Sequence, residues 1–203
     1  MNFKNSLEIV PINMRWIEDL PEEYDRCLHG EVKVLYNGEI VFSSDANRTI
    51  NVTGYYLLKS IDKDYEKNIY ASQLIPCCGF TMFPNEEMQD VLIIGCPQGD
   101  DFSIFHSEEL VTMIFDSSNS ISITIECFKR AVLGYVNQIE SFYVSSKLKC
   151  IPVDEIDEKA YEVFWNDWKT MKMNKLHASC KYFKFWSDEK CNGKSKIEMK
   201  KKI

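Results

Sequence analysis

The stretch Glu31-Val-Lys-Val-Leu-Tyr-Asn-Gly-Glu-Ile-Val-Phe42 carries the clearest structural signal in the chain. Two β-rich runs, in which apolar and polar residues alternate, flank Asn37 and Gly38. Both of these residues tolerate the positive φ angles that a type I′ turn requires. The stretch therefore predicts a β-hairpin and places antiparallel strands in the first part of the fold.

Further strands are predicted downstream of this hairpin. The continuous apolar run Val91-Leu-Ile-Ile94 predicts a central strand. Three runs at 102–106, 110–115 and 120–125 alternate in polarity or are β-branched, and short polar turns separate them. Because short connections favour antiparallel neighbours, we expect these four strands to form a meander.

Helices are predicted before and after the meander. A short one is expected to begin at Asn51 or Thr53 and to run to Ile61, although Gly54 disfavours it. Apolar residues at helical spacing predict two longer helices at about 126–143 and 157–171. The fold class is thus α+β: a mostly antiparallel sheet, made of the N-terminal hairpin and the central meander, covered by two or three helices.

Charge is divided unevenly along the 203 residues, whose formal net charge is −7. Residues 169–203 contain 11 Lys and 3 acidic residues, whereas the first 168 residues contain 13 Lys and Arg against 28 Asp and Glu. We predict one domain at 1–171 and a basic C-terminal extension, in part disordered, at 172–203. An acidic body repels phosphate backbones and attracts basic proteins, which argues against a nucleic-acid partner.

The location predicted for the protein is the cytosol. The first 16 residues alternate in polarity instead of forming the apolar core of a secretory signal, and the longest apolar runs are far too short to span a bilayer. We therefore expect no membrane association. Most of the eight cysteines are expected to be reduced thiols.

Three cysteines lie in two turns rich in Pro and Gly, and they have alternative interpretations. Cys77 and Cys78 occupy Pro76-Cys-Cys-Gly79, and Cys96 lies between Gly95 and Pro97. The first interpretation is structural, with the turns packed together and Cys as a small apolar filler. A second is a zinc site made of Cys77, Cys78 and Cys96, and zinc is the one cofactor under consideration. A third is a thiol-dependent enzyme, in which His106 serves as base for Cys96 and Asp100 or Asp101 orients the imidazole.

Acidic and aromatic residues suggest where a basic partner would bind. Asp100 and Asp101 lie in one turn, and Phe164-Trp-Asn-Asp-Trp168 places Trp165 off the apolar stripe of its helix, beside Asp167. Trp165 then lies either in a second packing layer or at the surface. An exposed tryptophan next to carboxylates is a typical anchor for a protein partner. Asp100, Asp101, Trp165 and Asp167 are accordingly the predicted contact residues.

Three segments of the chain resemble a group of small bacterial proteins. These segments are Gln73-Leu-Ile-Pro-Cys-Cys-Gly79, Ile93-Ile-Gly-Cys-Pro-Gln-Gly99 and Phe164-Trp-Asn-Asp-Trp168, and the resemblance covers about residues 28–169. It implies no activity, cofactor or catalytic residue. Many small acidic bacterial proteins are immunity proteins that neutralise toxins. The leading prediction is thus a non-enzymatic binding protein for a basic partner, such as a toxin, with the thiol enzyme and the zinc-stabilised module as alternatives.

Overall fold

The computed structural model describes residues 6–67, 73–79, 81–95 and 97–175, together with the backbone of 186–190. The strands are β1 (Leu7–Arg15), β2 (His29–Tyr36), β3 (Glu39–Ser43), β4 (Arg48–Thr49), β5 (Met82–Pro84), β6 (Val91–Ile93), β7 (Ser103–His106), β8 (Leu110–Ile114), β9 (Ser120–Thr124), β10 (Lys149–Ile151) and β11 (Trp186–Lys190). The helices are α1 (Ile50–Lys59), α2 (Ile125–Ser145) and α3 (Glu155–Lys175), with a 3₁₀ turn at Glu22–Tyr24. In this part of the chain, no helix has a stretch apolar and long enough to cross a bilayer.

The N-terminal sheet confirms the predicted hairpin. Strands β1, β2 and β3 pair in that order, all antiparallel, and the short β4 pairs with the start of β2. Asn37 and Gly38 have φ angles of 53° and 87°, as the type I′ turn requires. β1 was not predicted, although Leu7 and Ile9 alternate with polar residues and their side chains are buried.

The central meander is shorter than predicted. β7, β8 and β9 form an antiparallel three-stranded sheet. The predicted central strand at Val91–Ile94 does not join it, because β6 pairs with β5 in a separate two-stranded hairpin. Only one face of that hairpin is covered: Val91 and Ile93 are buried, whereas the side chain of Leu92 between them is 63% exposed. The continuous apolar run did not indicate a central strand, because its apolar side chains lie alternately on the buried and the exposed face of the hairpin.

The three helices pack around one hydrophobic core. The Phe164 ring of α3 stacks on the Tyr55 ring of α1 with the centroids 4.7 Å apart. The Tyr135 hydroxyl of α2 donates to the Ile50 carbonyl at the start of α1, at 3.0 Å. The α+β class and the predicted helices of the second half are confirmed, and the core residues of α3 include the predicted stripe at Ala160, Phe164 and Trp168.

The C-terminal helix extends past the predicted domain boundary. α3 continues to Lys175, and the ammonium of Lys172 is buried against Glu140 of α2 at 2.5 Å. Lys172 is therefore part of the packed domain instead of a basic extension. Most of the predicted extension lies outside the described residues. Its described strand, β11, pairs in parallel with β10.

Candidate functional site

Asp101 is a structural residue. Its carboxylate accepts hydrogen bonds from the Leu74 and Phe102 backbone N–H groups at 3.0 and 3.1 Å and from the Tyr65 hydroxyl at 3.0 Å. The residue is 8% exposed. Because a buried carboxylate with three donors is already satisfied, Asp101 organises the chain around it. Its predicted role as a partner contact is wrong.

Asp100 neutralises a buried arginine. One of its carboxylate oxygens accepts from Arg48 Nε at 2.5 Å and from the Asp45 backbone N–H at 2.9 Å. The Arg48 side chain is 9% exposed and that of Asp100 is 28% exposed. A buried guanidinium requires such a partner. Asp100 therefore lies at the surface, but most of its charge is balanced internally.

A pocket of about 330 Å³ lies beside Asp100. Its lining includes Phe42 and Phe115, whose rings stack 5.6 Å apart, together with Lys67. Lys67 and Asp100 oppose each other in sign, and Asp100 is already paired with Arg48. Asp101 also lines the pocket, so the charged groups of its lining are two carboxylates and one ammonium.

Trp165 is completely buried, so of the two positions predicted for it the structure has the second packing layer and not the surface. Its relative exposure is 0%, and its ring packs edge-on against Tyr143 of α2 with the centroids 4.9 Å apart. α3 is covered on two sides, because Phe164 faces α1 while Trp165 faces α2. Trp165 is a core residue and cannot serve as a surface anchor.

Asp167 belongs to a hydrogen-bonded cluster with Tyr55 and Asp90. The phenol oxygen of Tyr55 lies 2.6 Å from Asp167 Oδ2 and 2.8 Å from Asp90 Oδ1. Lys59 also forms an ion pair with Asp90. The Asp167 carboxyl thus contacts α1 of its own chain, a role that sequence analysis missed because its partners lie far away in the sequence.

The His106 ring is held by the segment that follows α1. Its Nδ1 lies 2.9 Å from Asp64 Oδ1, and its Nε2 lies 3.1 Å from the Ile61 carbonyl oxygen. Asp64, not Asp100 or Asp101, orients the ring. Both ring nitrogens thus lie within hydrogen-bond distance of oxygen atoms of this chain. Cys96, the predicted nucleophile, lies outside the described residues.

The two cysteine turns lie close to each other, but Cys78 is exposed and so does not serve as the apolar filler of the structural interpretation. A Cβ added to Gly95 would lie 3.4 Å from the Cys78 carbonyl oxygen. Cys77 is disulfide-bonded, and its Sγ lies 3.9 Å from the thiol of Cys78. Cys77 is therefore an exception to the expectation that most of the cysteines are reduced, and a disulfide sulfur is not the thiolate that zinc binds. Cys96, the third residue of the predicted zinc site, lies outside the described residues.

The described residues form no cluster of three or more His, Cys, Asp and Glu side chains arranged to hold a metal. Cys27 is a further thiol close to the cysteine turns. Burial, reinforced by the charge of Asp25, raises the pKa of Cys27 to about 12. Such a thiol stays protonated and unreactive at neutral pH.

Lys149 is a buried cation that the sequence did not single out. Its Nζ lies 3.2 Å from the centroid of the Trp16 ring and donates to the Glu22 carbonyl at 2.6 Å. Burial lowers the pKa of Lys149 to about 8. Because its ammonium is held by a ring and a carbonyl, Lys149 ties the 3₁₀ turn to β10.

The outer side of the β5–β6 hairpin exposes several large apolar side chains. We call it the hairpin face and define it by four side chains that are between 43% and 63% exposed: Phe83, Met88, Leu92 and Ile94. Phe83 and Leu92 are direct cross-strand partners. Ile94 follows two residues after Leu92 and therefore lies on the same side. Contiguous exposed apolar side chains of this kind mark interaction surfaces.

The hairpin face is held in a defined shape. The Asn85 backbone N–H donates to the Asp90 carbonyl at 2.8 Å, and the Asn85 side chain accepts from the Gln89 and Asp90 N–H groups at 2.8 and 3.1 Å. The inner face, which includes the buried Met82, packs against α3. These contacts fix the turn and so fix the position of the outer side chains.

The charged residues of the hairpin itself are all acidic, and Asp90 among them is paired with Lys59 of α1. Residues 81–95 include Glu86, Glu87 and Asp90 but neither Lys nor Arg. Glu86 and Glu87 are exposed at the turn, close in sequence to Met88. The surface therefore combines apolar side chains with an acidic border.

Comparison with known proteins gives no match for this chain among protein-family models, curated proteins or solved structures. The resemblance to small bacterial proteins stays a prediction.

Proposed function

We propose that the protein is a binding protein that engages a basic protein partner through the hairpin face. The supporting observation is the exposure of Phe83, Leu92 and Ile94 on one side of a hairpin with acidic and no basic residues. Full burial of an apolar side chain of this size contributes about 1.5–3 kcal/mol. A partner that covers the face gains this contribution, and its basic residues meet Glu86 and Glu87.

The acidic body supports the same kind of partner. The charge of −7 speeds the approach of a basic protein, while the apolar side chains hold the complex together. A basic toxin neutralised in the cytosol by an acidic immunity-type protein fits this description. The contacts proposed here replace the four residues expected from sequence, of which Asp101 and Trp165 are buried.

The test compares Leu92→Glu with Ile40→Glu as baits for partner capture from an extract of the source cells. The two positions are matched, because Leu92 is 63% and Ile40 58% exposed and both lie on short strands. We expect a basic protein to be captured by the wild type and by Ile40→Glu, and to be lost with Leu92→Glu. With the purified partner, affinity is expected to fall about tenfold or more on Leu92→Glu.

Salt dependence provides the second readout. Affinity of the purified complex is expected to decrease between about 0.05 and 0.5 M NaCl, because screening weakens the attraction between exposed charges. A partner that is acidic, that binds Leu92→Glu as tightly as wild type, or whose affinity ignores salt would contradict the proposal.

A further inference from the structure

A single phenol stands between two carboxyl groups at the junction of α1, α3 and the β5–β6 hairpin. The Tyr55 oxygen lies 2.6 Å from Asp167 Oδ2 of α3 and 2.8 Å from Asp90 Oδ1, the residue before β6. Both are hydrogen-bond distances. The Tyr55 ring itself is buried against Phe164, so the phenol position is set by core packing.

Tyr55 has one hydroxyl hydrogen, but two carboxyl groups lie within hydrogen-bond distance of its oxygen. A phenol has one hydrogen to donate, and an ionised carboxylate can only accept. With both carboxyl groups ionised, Tyr55 donates to one of them, and the other places a negative oxygen against phenol lone pairs. A second hydrogen on one carboxyl group removes this repulsion.

The surroundings indicate which carboxyl group holds that hydrogen. Asp90 Oδ1 also accepts from the Val91 backbone N–H at 2.6 Å and forms the ion pair with Lys59. Both contacts favour the ionised form of Asp90. Asp167 faces the phenol from a half-buried position, where desolvation penalises its charge.

We propose that Asp167 is the carboxyl group of this junction that takes up a proton first as pH falls, and that the protonated Asp167 donates to Tyr55, which in turn donates to the ionised Asp90. This chain of hydrogen bonds runs in one direction from α3 through α1 to the hairpin. The proton on Asp167 therefore completes a set of hydrogen bonds that connects the hairpin to both helices. The proposal does not depend on whether the hairpin face binds a partner.

The electrostatics of the junction agree with this assignment. Burial raises the pKa of Asp167 above its ordinary value, and the charge of Asp90 adds to the effect, while Tyr55, Lys59 and Lys63 oppose it. Burial alone raises the pKa of Asp90, but the hydrogen bonds from Lys59 and Tyr55 outweigh it and leave that pKa lowered. The two aspartates are thus shifted in opposite directions.

The stability of the hairpin attachment then depends on pH. Because the pKa of Asp167 is higher in the folded than in the unfolded chain, its contribution is complete below the ordinary aspartate pKa of about 3.9. The contribution is lost as pH rises through the folded pKa of Asp167. Over that window, the protection of the Val91 and Ile93 amides against hydrogen exchange is expected to fall by up to about tenfold per pH unit, after correction for intrinsic exchange.

The test measures the carboxyl ¹³C shifts of Asp167, Asp90 and Asp116 by NMR across pH in the full chain. Asp116 is an internal control, because hydrogen bonds from Ser118 lower its pKa. Asp167 is expected to titrate above about 3.9 and Asp90 below it. Titration of Asp167 at or below that value, or of Asp90 above it, would overturn the assignment.

Two variants complete the test. Asp167→Asn keeps a hydrogen donor next to Tyr55 but does not titrate, so its amide protection at Val91 and Ile93 is expected to be flat with pH. Asp157→Asn changes a half-buried aspartate elsewhere on α3 and is expected to keep the wild-type pH dependence. An Asp167→Asn protein as pH-sensitive as the wild type would refute the proposal.

Discussion

At the residue scale, Gly54 illustrates how a local preference and a tertiary contact can disagree. Glycine is a poor helix former, which argued against a helix here. α1 nevertheless runs through it, because a Cβ on Gly54 would lie 2.5 Å from Cη2 of Trp168. The close approach of α1 and α3 requires the absence of a side chain at this position.

We predict that Gly54→Ala destabilises the protein even though alanine is the better helix former. Overpacking against the Trp168 ring is expected to cost about 1–3 kcal/mol, which exceeds the helix-propensity gain of about 1 kcal/mol. The control is Gly134→Ala on α2, where an added Cβ meets nothing within 4 Å. That variant is expected to be stabilised by about 0.5–1 kcal/mol.

Urea unfolding of the wild type and of the two variants measures the change in the free energy of unfolding that each substitution causes. A Gly54→Ala protein as stable as Gly134→Ala would show that α1 and α3 do not approach as closely as described.

At the element scale, α2 and α3 are joined by a buried polar cluster. Glu140 of α2 accepts from Trp168 Nε1 at 2.9 Å and pairs with Lys172 at 2.5 Å. The side chains of Glu140 and Lys172 are 14% and 6% exposed. The two helices therefore meet through a desolvated ion pair as well as through apolar contacts.

We predict that Glu140→Ala lowers the free energy of unfolding by about 3–5 kcal/mol, because it leaves the Lys172 ammonium buried without its carboxylate. The matched control is Glu155→Ala, which removes a carboxylate from the exposed Lys159 pair and is expected to have a far smaller effect. Thermal and urea unfolding provide the comparison. Equal losses in the two variants would mean that Lys172 is solvated, in conflict with its burial.

At the scale of the whole molecule, strands of several sheets and the three helices share one core. Buried apolar residues from β1, β6, β8 and every helix belong to a single cluster. The Arg48–Asp100 ion pair further links the N-terminal sheet to the turn before β7. Elements that share a core lose their packing together.

This arrangement predicts one cooperative unfolding transition. The near-UV circular dichroism signal of Trp165 and Trp168 and the far-UV signal of the backbone are expected to change with the same midpoint in urea. Two separate midpoints would indicate that one of the sheets unfolds independently of the helical core.

The features that were predicted correctly depend on neighbours in the sequence. The turn at Asn37-Gly38, the strands of the meander and the long helices α2 and α3 follow from turn chemistry and from apolar periodicity. These signals involve residues close together in the sequence, so they can be recognised without the tertiary structure. The α+β class follows from their order along the chain.

The features that were missed depend on neighbours in space. The sequence left open whether Trp165 is buried or exposed, and it is buried because Tyr143 of α2 covers it. Leu92 is exposed because β6 pairs with β5 instead of joining the meander. Likewise, Tyr55, Asp90 and Asp167 lie far apart in the sequence and meet only when α1, α3 and the hairpin pack together. Burial and proton sharing depend on long-range packing, and local periodicity contains no information about it.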